Sequence, residues 1–106
     1  MSVNIRGDSD ATIDEIKTSL ADYEKDHQNA EIEIYRQNCV SVRIRIIDPD
    51  FRGLTRSDRH QIVWKYLSPV SDETVSDITL LLLLTPDERQ SSFANFEFEH
   101  PVPSAI

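Results

Sequence analysis

The sequence predicts an α+β fold, a two-layer sandwich with helices on one face of a mixed sheet. Three observations carry that reading. Residues 31–34 and 40–46 alternate apolar and polar side chains with period two, as half-buried strands do. Residues 13–23 and 62–67 place apolar side chains at helical spacing. Ile78 to Leu84 is a short, almost continuous apolar run, too short for a helix, which reads as a strand buried on both faces.

Along the chain, residues 1–11 read as a loose lead. Thr12-Ile13-Asp14-Glu15 has the capping-box spacing, with a Thr hydroxyl for a free helix amide and Glu reaching back. Ile13, Ile16, Leu20 and Tyr23 then form one helical face, predicting a helix over about 12–26. A hairpin follows. Pairing residues whose numbers sum to 76 sets Ile32 against Ile44 and Ile34 against Val42 on the buried side. On the wet side the same register sets Glu31 against Arg45 and Glu33 against Arg43. It places Gln37, Asn38 and Cys39 in the turn, so Cys39 is expected at an exposed hairpin tip.

Pro49 ends the second strand, since proline cannot donate to a ladder. Thr55 to Asp58 repeats the cap spacing ahead of a second helix whose buried face is Ile62, Val63, Tyr66 and Leu67. Ser68-Pro69 stops it, and residues 71–77 suit a short helical turn. The run from Ile78 is the third strand, ended by Thr85-Pro86-Asp87-Glu88. Beyond residue 88, Phe96 and Phe98 alternate with Glu97 and Glu99, giving either an edge strand or a docking tail. The Leu80 to Leu84 run is apolar on both faces, so the helix-free face of this strand is expected to be covered by the Phe-rich tail, a second copy or a partner.

The chain has 106 residues and a mass of 12.2 kDa, which suits one domain. The expected division is a lead over 1–11, a domain over 12–88 and a Phe-containing tail over 89–106. Apolar residues make up 39% and charged residues 28%, enough for a core. Two glycines leave no room for a Gly-rich phosphate loop, and one cysteine cannot form an internal disulfide. No apolar run reaches the length of a membrane span, and the first ten residues show no secretory pattern, so a cytoplasmic protein is expected.

The net charge of −8 is unevenly placed. Residues 36–65 carry seven basic and three acidic side chains, while the remainder carries four basic and sixteen acidic. An acidic whole repels a phosphate backbone, yet the basic middle, with Arg52, Arg56 and Arg59, offers a local contact for nucleic acid. The competing reading is a surface paired internally. One thiol and three scattered histidines make a weak case for catalysis or for a resident metal.

Phe51-Arg52-Gly53, five residues, Arg59-His60 and then Ile62-Val63-Trp64 resemble the F-x-G-x5-R-H signature of BolA-like proteins. The Thr-Pro-Asp-Glu ending and the order α-β-β-α-(α)-β are similar too, and the resemblance covers about residues 12–88. It implies a class II KH-like fold without the usual KH function; the sequence itself has no Gly-x-x-Gly between its helices, the loop with which KH domains clamp a nucleic-acid backbone. It implies a non-enzymatic partner of monothiol glutaredoxins that shares a [2Fe–2S] cluster with them, none being bound by the isolated chain. Some bacterial members are described as DNA-binding regulators of cell shape and stress response. The family's first cluster ligand lies in the loop between the first two strands, which here holds Cys39. The second is a His at the start of the last strand. That place falls near Asp77, and no His lies there, so the chain departs from the pattern; His100 is a candidate for a relocated ligand. A homodimer paired through the Leu face, without cluster chemistry, is the third expectation.

Overall fold

The computed structural model describes residues 3–101. Its elements are β1 (Val3–Arg6), α1 (Ala11–Asp26), β2 (Glu31–Asn38), β3 (Ser41–Ile47), α2 (Arg56–Leu67), α3 (Asp72–Asp77), β4 (Ile78–Leu84) and α4 (Phe93–Glu99). The four strands form one sheet in the order β1-β2-β3-β4. β1 runs parallel to β2, β2 antiparallel to β3, and β3 parallel to β4. The α+β sandwich is therefore the fold, with a mixed sheet.

The core lies between the sheet and the first three helices. Ile13, Ile16, Leu20 and Tyr23 of α1 and Val63 and Leu67 of α2 are buried against Ile32, Ile34, Ile44 and Ile46. Trp64 and Tyr66 pack on its margin, only partly buried. Ser71 caps α3 through its hydroxyl.

The structure departs from the expectations at several points. The lead is ordered from Val3: Val3 and Ile5 align with Ile32 and Ile34 in β1. Four residues ahead of a loop were too short a run to reveal their period. The cap of α1 is Asp10, whose Oδ1 accepts from the Ile13 amide at 3.0 Å. Aspartate is the stronger cap, so Thr12 is drawn into the helix. Glu15 instead accepts from the Ser71 amide at 2.8 Å and the Thr74 hydroxyl at 2.6 Å, tying α1 to α3.

The hairpin register is offset by two residues from the expected one. Ile32 faces Ile46, Ile34 faces Ile44 and Glu33 faces Arg45. An offset of two keeps every side chain on its face, so the buried set is unchanged. The physical cause is the turn: it is the pair Cys39-Val40, with a register shift between Arg36 and Asn38. Val40 consequently leaves the strand and is exposed.

Of the two alternatives for the tail, the docking tail holds and the edge strand does not. Residues 93–99 form α4, capped by the Ser92 hydroxyl on the Asn95 amide at 3.1 Å. α4 lies on the sheet face opposite α1–α3, so helices cover both faces and not one as expected. Phe98 is fully buried there, its ring 4.8 Å from that of Tyr35. The cover over β4 is partial. Leu84 is buried, whereas Leu80 and Leu82 remain half-buried. The last five residues of the expected tail lie outside the described residues.

Candidate functional site

Cys39 sits exposed at the tip of the β2–β3 hairpin. Arg36 holds that tip. Its Nη1 donates to the carbonyls of Asn38 and Cys39, both at 3.2 Å. Its Nε donates to Asp10 Oδ2 at 2.6 Å, and its Nη2 lies 3.7 Å from Asp77 Oδ2. The Val40 amide donates to Asn38 Oδ1 at 3.0 Å, closing the turn. Arg36 holds the Asp10 carboxyl below the usual carboxylate range, and Asp10 in turn raises the guanidinium. The tip is thus a preformed support under a free thiol.

The fit to a shared cluster is incomplete. Asp77, which stands where the resemblance calls for a second ligand, shares the Arg36 guanidinium with Asp10. A carboxylate beside a fixed cation is a poor ligand for a soft cluster iron. His100 ends α4 with its ring 5.0 Å from Phe96, on the opposite layer from α1–α3. Cys39 is an exposed free cysteine at the hairpin tip, and Asp77 is engaged by Arg36.

The four signature residues serve the fold at the other end of β3. Phe51 is buried. Gly53 has φ +83°, the left-handed conformation that glycine takes without strain. The Arg59 guanidinium lies 5.7 Å from the centre of the Phe51 ring and donates to the carbonyls of Leu54 at 3.2 Å and Leu83 at 3.1 Å. It also forks onto Glu88. His60 faces a groove beside β4. Burial first, and then the nearby Arg56 charge, lower its pKa below the ordinary imidazole value.

The basic middle is largely compensated within the chain. Arg43 pairs with Glu97 at 2.7 Å, Arg45 with Glu99 at 2.7 Å, Arg52 with Asp87 at 2.9 Å, and Arg59 with Glu88 at 2.6 Å. Of the three arginines considered for nucleic acid, Arg56 alone has no carboxylate within ion-pair distance among the described residues. Both partners of Arg43 and Arg45 in α4 come from the tail, whose helical state no sequence pattern disclosed.

One cluster was missed by the sequence reading. Asp48 is fully buried and accepts from the Tyr23 hydroxyl at 2.5 Å. His27 stacks on Tyr23 with ring centres 4.2 Å apart, and its Nδ1 lies 2.8 Å from Asp50 Oδ2. The ligand atoms of His27, Asp48 and Asp50 lie within 4.8 Å of one another. The Asp-Pro-Asp triplet was visible as a strand end, but its approach to the end of α1 depends on the tertiary fold.

Among the described residues no helix is long and apolar enough to cross a membrane. No protein-family model and no curated protein sequence matches the chain. A solved structure does: BolA1 from Arabidopsis thaliana is similar with a TM-score of 0.51 and 19% sequence identity, over 76% of this chain and 98% of that one. The chain therefore has a BolA-like fold.

Proposed function

We propose that this chain is a non-enzymatic docking protein that engages a monothiol-glutaredoxin-type partner through its β2–β3 hairpin tip, with Cys39 as the contact thiol. The observation that carries this reading is the exposed Cys39, braced by Arg36, on a BolA-like fold. The non-enzymatic reading is supported by the placement of the nucleophile. Cys39 precedes β3, while His27 packs beside Asp48, which follows it, a strand length of roughly 20 Å away. The His27 imidazole, with its carboxylate neighbours, is therefore out of reach of the thiol it would have to activate.

The site offers the Cys39 sulfur without the second ligand that the resemblance implies. The reading is therefore of docking, with cluster sharing as a separate outcome. Mixing the chain with a cluster-loaded monothiol glutaredoxin, with Cys39→Ala in parallel, tests both. Visible absorption and circular dichroism report the cluster, and sedimentation reports the complex. Docking predicts a heterodimer weakened by Cys39→Ala. A new cluster spectrum that depends on Cys39 would add iron–sulfur handling. Absence of a heterodimer sinks the reading.

A further inference from the structure

We propose that the open edge of β4 binds an extended peptide segment, which adds a fifth strand to the sheet and sets a carboxylate beside Arg56. This site does not include Cys39 and does not rest on the reading above.

Among the described residues β4 is the last strand of the sheet and pairs with β3 alone. The Leu84 carbonyl accepts from the Asp48 amide at 2.9 Å, on the β3 side. Backbone groups of alternate residues in a strand point to opposite sides, so the N–H and C=O of Leu81 and Leu83 point away from β3. Arg59 takes the outward carbonyl of Leu83 at 3.1 Å. The outward groups of Leu81 have no neighbouring strand among the described residues. Edge strands are ordinarily protected by charge or proline, and Ile78–Leu84 has neither.

The edge is recessed. A groove of roughly 810 Å³ runs along it, walled by Arg56 and His60 of α2 and by Ser92 and Phe93 of the tail. Phe93 is 85% exposed, and Leu80 and Leu82 are half-buried beside it. A strand seated there would satisfy the Leu81 backbone and cover these side chains. The rim then specifies the occupant. Arg59 is paired with Glu88, leaving Arg56 as the uncompensated cation of this wall among the described residues. A second copy is the poorer occupant. Two-fold pairing of β4 edges would join two chains of net charge −8. An apolar segment with an acidic residue complements both the edge and the rim.

The test selects a displayed library of random hexapeptides against the full chain. The enriched peptides should alternate apolar residues and carry Asp or Glu at one end. A selected peptide, made synthetically, should slow exchange of the Leu81 amide. Methylating the backbone nitrogens of that peptide should abolish binding. Arg56→Glu should weaken its Kd by about tenfold without moving the thermal melt, since Arg56 is exposed. The proposal is overturned by a library that yields no enriched peptide. It is equally overturned by peptides without a carboxylate preference, or by binding that leaves the Leu81 amide unchanged. A dimer that protects Leu81 without peptide would assign the edge to a second copy instead.

Discussion

Arg59 and Glu88 meet fork to fork, Nη1 on Oε1 at 2.6 Å and Nη2 on Oε2 at 3.2 Å, joining α2 to the turn that follows β4. The same carboxylate accepts from the Thr85 amide at 2.9 Å, while the Thr85 hydroxyl accepts from the Glu88 amide at 3.3 Å. Glu88 therefore closes its own turn and neutralises a guanidinium buried under the motif. Bidentate, charge-assisted pairs of this kind exceed ordinary hydrogen bonds in strength. Glu88→Gln removes the counter-charge from a largely buried Arg59. A loss of about 2 kcal/mol in urea unfolding is expected. Arg52→Ala, which breaks an exposed pair with Asp87, should cost less than about 1 kcal/mol.

Acid should destabilise the chain through the same contacts. Arg59 is the main cause that lowers the Glu88 pKa, and Arg45 does the same for Glu99. Asp10 is held down by Arg36, and Glu15 by the hydroxyl of Thr74. Each folded carboxyl binds its proton less readily than the unfolded one, so falling pH loads protons onto the unfolded chain first. The contribution is complete above the ordinary values of 3.8 for Asp and 4.5 for Glu and is lost as pH falls through the depressed folded values. Thermal melts should be flat from pH 7 to about pH 5 and fall steeply below pH 4 in these groups' contribution. Glu88→Gln should show a shallower fall than the parent. An equal fall would mean that the Arg59 pair has no part in it.

What the sequence disclosed follows the range of the forces involved. Ile13, Ile16, Leu20 and Tyr23 were legible because burial imposes one period on a long helix. Ile32 to Ile46 were legible as faces, because a two-residue offset leaves faces intact, but not as pairs, because the register depends on a bulge beyond Arg36. α4 was misread because Phe96 and Phe98 alternate with glutamates. Only Phe98 is buried, and the helix exists on the sheet that Arg43 and Arg45 present to it. At the candidate site, exposure of Cys39 was legible from the hairpin. The brace from Arg36 to Asp10 and Asp77 was not, since those residues are distant in sequence.

α4 is held chiefly by one side chain. The guanidiniums of Arg6 and Arg45 both lie over the Phe98 ring, 5.1 and 4.9 Å from its centroid. Its carbonyl accepts from Arg6 Nη1 and from the Tyr35 hydroxyl, both at 3.0 Å. Phe98→Ala should cost about 3 kcal/mol and release amide protection across residues 93–99. Phe96 is 62% exposed, and Phe96→Ala should stay within about 0.5 kcal/mol of the parent. Denaturant melts and hydrogen exchange on the two variants read this directly. Equal effects would mean that α4 does not depend on the Phe98 socket.

The alkaline limit should be set by Tyr23. Burial, followed by its hydrogen bond to the buried Asp48, pushes the phenol far above the ordinary value of 10.0. The folded chain thus keeps this proton where the unfolded chain releases it. Its stabilising contribution is complete below the ordinary phenol range and declines as pH rises through it and beyond, because deprotonation then favours the unfolded state. Ultraviolet titration should show Tyr23 ionising together with loss of the fold rather than before it. Tyr23→Phe keeps the ring beside His27 and removes the donor to Asp48, at a cost of about 1–3 kcal/mol at neutral pH. The variant should also lose part of the alkaline sensitivity. A Tyr23→Phe chain as stable as the parent at neutral pH, with the same alkaline midpoint, would show that the buried Asp48 is satisfied without this phenol.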